Sequence, residues 1–137
     1  MKIIENCWEE IMASECVFGA HIFENSTAKI YVHDGLAVGL EMGKLFCHMN
    51  DDGFAGPCIL AFYGVSIINM TVSTYEWQNE KPAWRTPVRT HHEGNVHGDT
   101  KKFGLAGSLL GFLSWADIEI EAQKFELHIL GKDEPGR

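Results

Sequence analysis

Apolar and polar residues alternate in four segments of the chain, which cover residues 28–34, 36–42, 116–122 and 124–130. Alternation with a period of two is typical of β-strands that bury one face. Turn-forming residues separate these segments at short intervals, as they do in antiparallel β-sheets. The pattern therefore predicts a mainly β protein, either an antiparallel β-sandwich or a flattened barrel.

The chain also contains signals for the ends and bends of strands. The Asn-Ser-Thr cluster at residues 25–27 predicts a turn, and the Asp-Gly pair at residues 34–35 predicts a hairpin. The β-rich run 58–77 is too long for one regular strand. Its apolar positions change parity near Gly64, which predicts a bulge or bend there. A similar change of parity at residues 122–124 predicts a bulge or a tight turn.

Other segments depart from the alternating pattern. Apolar residues within 3–12 have the spacing of a helix face, which predicts one short N-terminal helix. Residues 78–102 contain two prolines and many polar groups, and they predict a long connection with one edge strand near 85–91. The glycine-rich segment 103–115 is compatible with a helix or with a glycine-bent strand. Residues 131–137 are predicted to form a frayed tail.

Length and composition indicate a single β-rich domain that spans residues 1–137. The 137 residues fit one domain, and the 45% of hydrophobic residues suffice for a core that needs no disulfide. The four cysteines form no C-x-x-C pair and lie among apolar residues, so buried reduced thiols are expected. The sequence shows neither a signal peptide nor an apolar run long enough to span a bilayer, and we expect a cytoplasmic protein.

Charge narrows the range of partners. The formal net charge is -8 at pH 7, and an acidic chain is repelled by nucleic acid and by anionic membranes. We therefore expect no nucleic-acid partner and no membrane partner. Residues 81–102 are an exception within the chain, because they hold five basic residues and only two acidic ones.

A cluster of histidines in the stretch RTHHEGNVHGDTKK raises the question of a metal site. His92 and His97 are five positions apart, which does not match the i, i+4 spacing of a helical zinc-protease motif. On a strand, His91, Glu93 and His97 would share one face and could, with Asp99, bind a metal. The glycines in the stretch and the absence of supporting ligands favour a polar loop that binds no metal.

Tryptophan, arginine and acidic side chains are compatible with a protein interface; the alternative is that the tryptophans cap the end of the core, the arginines pair with surface acids and the acids form a solvated strand face. Two tryptophans and two arginines flank the prolines in YEWQNEKPAWRTPVR, and both residue types commonly anchor interfaces. The strand DIEIEAQ carries acids at alternate positions, which could meet a basic partner. The predicted partner-binding residues are Trp77, Trp84, Arg85, Arg89, Asp117, Glu119 and Glu121.

The segments ILAFYGVSI and ADIEIEAQKFELHIL resemble strands of small, acidic, β-rich bacterial proteins. Some of those proteins are immunity proteins of contact-dependent toxins. The resemblance lies in the general residue pattern of the strands and not in a diagnostic motif. It implies a protein that acts by binding another protein, and it assigns no role to individual residues.

The motifs of common enzyme classes are missing from the sequence. The GSLLG segment does not match the G-x-S-x-G nucleophile elbow, and the glycines around it do not have dinucleotide-binding spacing. We therefore predict a non-enzymatic binding protein without a cofactor, whose partner is another protein and whose role is immunity-like or regulator-like. Two alternatives stay open: a metal-binding domain or metal-dependent enzyme that uses residues 91–99, and a carrier of a small ligand inside a barrel.

Overall fold

Strands make up most of the chain, as the alternating pattern predicts. The computed structural model describes residues 1–134, with 62% strand and 5% helix. One short helix, α1, spans Leu40–Gly43. The strands are β1 (Lys2–Glu5), β2 (Ile11–Met12), β3 (Cys16–Glu24), β4 (Thr27–Asp34), β5 (Leu36–Val38), β6 (His48–Met49), β7 (Phe54–Gly56), β8 (Cys58–Tyr63), β9 (Ile67–Gln78), β10 (Lys81–Trp84), β11 (Val88–Glu93), β12 (Lys101–Leu109), β13 (Ser114–Ala122) and β14 (Lys124–Ile129).

Two pairs of strands bend together at one corner. β8 continues into β9 past Gly64, β13 continues into β14 past Gln123, and both arms pair antiparallel, β8 with β14 and β9 with β13. The N–H of Gln123 donates to the carbonyls of Tyr63 and Gly64, at 3.0 and 3.2 Å. Gly64 has φ +63°, and a Cβ atom there would meet the side chain of Gln123. The bend predicted near Gly64 and the change predicted at 122–124 are both confirmed, and they form a single corner.

The large sheet has ten strands and curls around a core. Its order runs β8-β4-β3-β12-β13, and β14, the continuation of β13, pairs again with β8. This arrangement is a flattened barrel. The β3–β12 pair is parallel and the other strand pairs of residues 1–134 are antiparallel, so the sheet is mixed and mainly antiparallel, as predicted. β1 extends the sheet beyond β14, whereas β10 and β11 extend it beyond β9.

Aromatic side chains fill the interior of the barrel. Trp8 packs edge-on against Phe62, Phe103 and Phe125, with ring centroids 6.0, 5.1 and 5.0 Å away. The three phenylalanines come from β8, β12 and β14 and are at most 5% exposed. Edge-on contacts suit the charge distribution of aromatic rings and add to the apolar area that each ring buries. The cluster thus joins strands from both sides of the corner.

The helix predicted over residues 3–12 does not form. These residues instead form β1, a single 3-10 turn at Trp8–Glu10, and β2. β1 pairs with β14. Asn6, at φ +56°, ends the extended conformation of β1 before the turn. The helical spacing of the apolar residues was therefore misleading, because strand pairing and the packing of partly buried Trp8 against the core outweigh local helix propensity.

A second, four-stranded sheet contains β2, β5, β7 and β6 in that order. The hairpin predicted at residues 34–35 is wrong, since β4 and β5 belong to different sheets. Gly35, at φ +90°, turns the chain from the large sheet to the small one. The alternation over 36–42 also ends early, because Leu40 begins α1 and is 76% exposed.

The structure also tests the predictions for residues 103–115, for the edge strand near 85–91 and for the C-terminal tail. Residues 103–115 are not helical, since β12 and β13 are joined there by a turn. The predicted edge strand near 85–91 is found as β11. Of the predicted tail, residues 131–134 follow β14 and the N–H of Gly131 donates to the side chain of Glu134, whereas residues 135–137 fall outside the described part. Among residues 1–134, no helix has the length and apolar character required to cross a membrane.

All four cysteines are free thiols in the described structure. Cys7, Cys16 and Cys58 are buried, as expected, but Cys47 is exposed. Burial raises the pKa of the Cys16 thiol to about 12, with a smaller contribution from the nearby charge of Asp34. Only Cys47 therefore combines solvent access with a thiol outside the core.

Thiol reactivity tests this arrangement. We expect one thiol per chain to react rapidly with a water-soluble disulfide reagent in the native protein, and four to react after denaturation, because thiol exchange requires solvent access. A Cys47→Ser variant should lose the rapid reaction and retain three slow thiols. Rapid reaction of two or more thiols in the native wild-type protein would contradict the burial of the other three.

A second prediction concerns the corner. Gly64→Ala should lower the free energy of unfolding by about 1–3 kcal/mol, because alanine at positive φ is strained and its Cβ displaces Gln123. Gly104→Ala is the matched control, since a Cβ at residue 104 meets no atom within 4 Å. Urea denaturation of the two variants measures the difference, and equal losses would show that the corner does not require glycine.

Candidate interaction surface

Strands β12, β13, β9 and β11 lie side by side and turn one common face to solvent. Residues paired across neighbouring strands project from the same side of the sheet. The pairing defines three rows on the solvent side, named here the charged face: Lys102, Glu121, Ile67 and Glu93; Gly104, Glu119, Asn69 and His91; Ala106, Asp117, Thr71 and Arg89. Two predicted sets of residues, the acids of β13 and the first residues of the histidine stretch, thereby meet on one surface.

Three carboxylates form the middle column of the charged face. Asp117 and Glu119 are exposed and Glu121 is half-buried, while the intervening residues of β13 point into the core. Alternate residues of a strand are about 7 Å apart. Within residues 1–134 none of these three carboxylates forms an ion pair. The column therefore consists of three carboxylates without an ion-pair partner in the described part of the chain.

The histidine stretch is divided between a strand and an irregular segment. His91 lies on β11, where its Nδ1 is 2.5 Å from Asn69 Oδ1 and its Nε2 is 2.9 Å from Glu93 Oε1. β11 ends at Glu93, so the alternation that would bring His97 onto the same face stops there. The carbonyl of His97 accepts a hydrogen bond from the side chain of Gln123 at 2.6 Å. Asp99 follows in the irregular segment.

No group of three or more His, Cys, Asp or Glu side chains within residues 1–134 is placed to hold a metal ion. Of the four residues in the metal alternative, the structure joins His91 and Glu93 by a hydrogen bond. The other histidine of that stretch, His92, points to the opposite side of β11 and contacts the ring of Phe23 at 5.4 Å. The metal alternative therefore stays a prediction, and two of its four residues, His91 and Glu93, are in contact.

The β9–β10 hairpin carries an exposed aromatic cluster. Its two-residue turn is formed by Asn79 and Glu80, both at positive φ, as tight hairpins require. Tyr75 contacts Trp84 across the hairpin at 4.6 Å and Trp77 along the strand at 5.9 Å. Trp77 is 60% exposed and Trp84 54% exposed. The hairpin extends past the start of β13, so its aromatic rings are left uncovered.

The turn between β12 and β13 adds apolar side chains beside this hairpin. Leu110, Phe112 and Leu113 are 47, 68 and 47% exposed. The Ser114 hydroxyl accepts the N–H of Leu109 at 2.9 Å and donates to the carbonyl of Phe112 at 3.2 Å. These bonds fix the turn although its side chains are in water.

A backbone bond joins the turn to the hairpin. The N–H of Tyr75 donates to the carbonyl of Leu113 at 3.1 Å. Trp115 follows on the same side of the sheet as the charged face, opposite Ser73. We call this combined region the aromatic surface, which comprises Tyr75, Trp77, Trp84, Leu110, Phe112, Leu113 and Trp115.

Six of the seven residues predicted to bind a partner lie on this side of the sheet. Trp77 and Trp84 belong to the aromatic surface, and Arg89 with the three acids of β13 belongs to the charged face. Arg85 is the exception, because it follows Trp84 directly and forms an ion pair with Glu76, which alternates with Tyr75 and Trp77. Sequence reasoning missed the turn residues, Tyr75 and Trp115. The signal available was a glycine among large apolar residues in LLGFL, which predicts a turn that leaves them exposed.

Comparison with known proteins assigns no family: no family model matches the chain, and no curated protein and no solved structure matches it significantly. The resemblance to immunity proteins therefore stays an expectation that depends on the residue pattern of the strands. The functional argument depends on the surfaces of the protein alone.

A polar cluster on the other arm of the barrel is structural. Glu126 accepts hydrogen bonds from His128 at 2.9 Å and lies 3.1 Å from Lys124, and its side chain is only 13% exposed. The hydrogen bond from His128 and then that from Lys124 lower the pKa of Glu126 from its ordinary 4.5 to about 2. Because the folded protein holds this proton more weakly than the unfolded chain, acid favours unfolding.

The cluster generates a pH prediction. The stability that Glu126 contributes should be complete above pH 4.5 and should be lost as the pH falls towards 2. Glu126→Gln should be less stable than the wild type at pH 7 and should show a flatter loss of stability between pH 4.5 and 2. Glu9→Gln, which removes an exposed acid with no ion pair in the described chain, should keep the wild-type slope. Denaturant unfolding at several pH values measures both, and identical slopes for all three proteins would disprove the role of Glu126.

Proposed function

We propose that the protein is a non-enzymatic binding protein that engages another protein through the aromatic surface, with the charged face beside it. The observation that carries the proposal is the exposure of large apolar side chains on a fixed backbone. The mode of action is that of an immunity or regulator protein, which works by occupying its partner. A cytoplasmic location belongs to the same proposal, since free thiols persist in reducing compartments.

The aromatic surface has the properties of an interface centre. Exposed apolar patches on soluble proteins commonly mark sites of association. Tryptophan is among the residues that contribute most to binding energy, and here Trp77 and Trp84 are 60 and 54% exposed, while Phe112 on the adjoining turn is 68% exposed. Burial of such side chains by a partner yields about 25 cal/mol per Å² of apolar area.

Rigidity adds to the support. The turn that carries Phe112 is fixed by both bonds of the Ser114 hydroxyl, and the hairpin is bonded to that turn through Tyr75. A surface that is already ordered loses little conformational entropy on binding. Ordered exposure of this kind supports recognition of a partner more strongly than a flexible apolar loop would.

The same structure gives less support to the other two candidates. The interior needed by a small-ligand carrier is occupied by Trp8 and the phenylalanines that surround it. The metal alternative has His91 and Glu93 adjacent, and His91 is also bonded to Asn69. Protein binding is therefore the function that the surfaces favour.

Site-specific photo-crosslinking in the native host cell tests the proposal. A photoreactive phenylalanine in place of Phe112 should form an adduct with one defined protein. The same residue in place of Leu40, which is 76% exposed but lies on α1, should not. The double variant Trp77→Ala, Trp84→Ala should weaken binding to the captured protein at least tenfold, as expected for interface anchors.

Two outcomes would contradict the proposal. Equal adducts from positions 112 and 40 would show nonspecific contact. Unchanged affinity of the double variant, with unchanged thermal unfolding, would remove the aromatic surface from the interface.

A further inference from the structure

The charged face indicates what kind of partner approaches the aromatic surface. Some acids of the protein form ion pairs within residues 1–134, such as Glu5 with Lys124 and Glu76 with Arg85. The three acids of β13 have no such ion pair within residues 1–134. Their column begins at Glu121 and leads, through Asp117, to Trp115 on the same side of β13. Negative charge and aromatic rings thus form one continuous strip.

The residues on either side of this strip have small or short side chains. Gly104 and Ala106 lie beside it on β12, and Asn69 and Thr71 lie beside it on β9. The space above Gly104 is open, since a Cβ there would meet no atom within 4 Å. Shallow depressions flank Glu119 on both sides, one towards Lys102 and one towards Arg89. A chain segment laid along β13 would therefore find open space beside Glu119, at the middle of the carboxylate column.

Two cations, Lys102 and Arg89, lie at the margins of the charged face, where the carboxylate of Glu93 is hydrogen-bonded to His91. Lys102 lies across from Glu121, and Arg89 lies two strands away from Asp117. His91 is held by Asn69 and Glu93. A partner with a broad basic surface would meet these cations, whereas a narrow basic segment would meet the carboxylates alone. Such an arrangement selects by repulsion as well as by attraction.

We infer that the partner supplies an extended basic segment, with lysine or arginine at every second position, that lies along β13 and ends on the aromatic surface. This inference rests on the proposed function and names the chemistry of its partner. Alternate side chains of an extended segment project to one side about 7 Å apart, which matches the spacing of alternate residues on β13. The tryptophan rings at the end of the strip attract a cation through their faces.

Short synthetic peptides test the inference directly. The first probe is the acetylated, amidated peptide KTKTKTKT, and the matched probe is KKKKTTTT, which has the same composition and charge but not the alternation. Binding is followed by amide shifts in NMR spectra of the isotope-labelled full-length protein. We expect KTKTKTKT to bind at least fivefold more tightly and to shift residues of β12, β13 and β9. Its affinity should fall at least tenfold between low and high salt, because exposed charges are screened.

Two triple variants provide the control. Asp117→Asn with Glu119→Gln and Glu121→Gln should weaken binding of KTKTKTKT at least tenfold. Glu15→Gln with Asp51→Asn and Asp52→Asn removes the same formal charge from exposed positions elsewhere and should change the affinity less than twofold. If the first variant does not fold, the difference between the two peptides and the salt dependence still decide the question.

Several outcomes would overturn the inference. These are equal affinity for the two peptides, equal effects of the two triple variants, and shifts mapped away from β13. A blue shift of tryptophan emission with phosphatidylcholine vesicles but not with peptide would assign the aromatic surface to lipid, and concentration-dependent dimers would assign it to a second copy. If the photo-crosslinked protein still binds the Asp117, Glu119 and Glu121 variant with wild-type affinity, the inference fails while the proposed function stands.

Discussion

The fold depends on the corner that Gly64 and Gln123 share. At this point two antiparallel strands bend together, and the N–H of Gln123 bridges the carbonyls of Tyr63 and Gly64. Positive φ at Gly64 and the approach of Gln123 make a side chain at residue 64 unfavourable. Because both strands turn at once, each keeps its hydrogen-bonded partner on both arms, and the sheet can curl around a core without losing its ladder.

The corner also separates the two roles of the sheet. On one arm, β8 and β14 place Phe62 and Phe125 against Trp8 and support the core. On the other arm, β9 and β13 are still buried on one face, but their opposite face is open to solvent. Strand register then lines up the solvent side chains in rows, so residues from four strands form one surface. The same pairing that stabilises the barrel thereby sets the spacing of the charged face.

Exposure of the aromatic surface to water lowers the free energy of unfolding that the fold could otherwise reach. Phe112 and the two tryptophans of the hairpin would be more stable out of water, and yet the bonds of Ser114 and Tyr75 hold their backbone in place. A rigid apolar surface beside carboxylates that form no ion pair in the described part of the chain supports the proposal of a partner that is both basic and partly apolar. The affinity would come mainly from the apolar contacts, and the charges would guide the approach and reject other partners.

The sequence by itself determined the mainly β character and the two bends, because alternation and its change of parity are local properties of the chain. It also identified most of the surface residues by type, including Trp77, Trp84 and the acids of β13. It did not determine that residues 3–12 would pair with β14 instead of forming a helix, since that choice depends on a strand more than 100 residues away. Nor did it place the N–H of Tyr75 against the carbonyl of Leu113, or His91 beside Asn69. Those contacts follow from strand register and from the shared corner, and only the tertiary structure decides them, because they join residues that are distant in the chain.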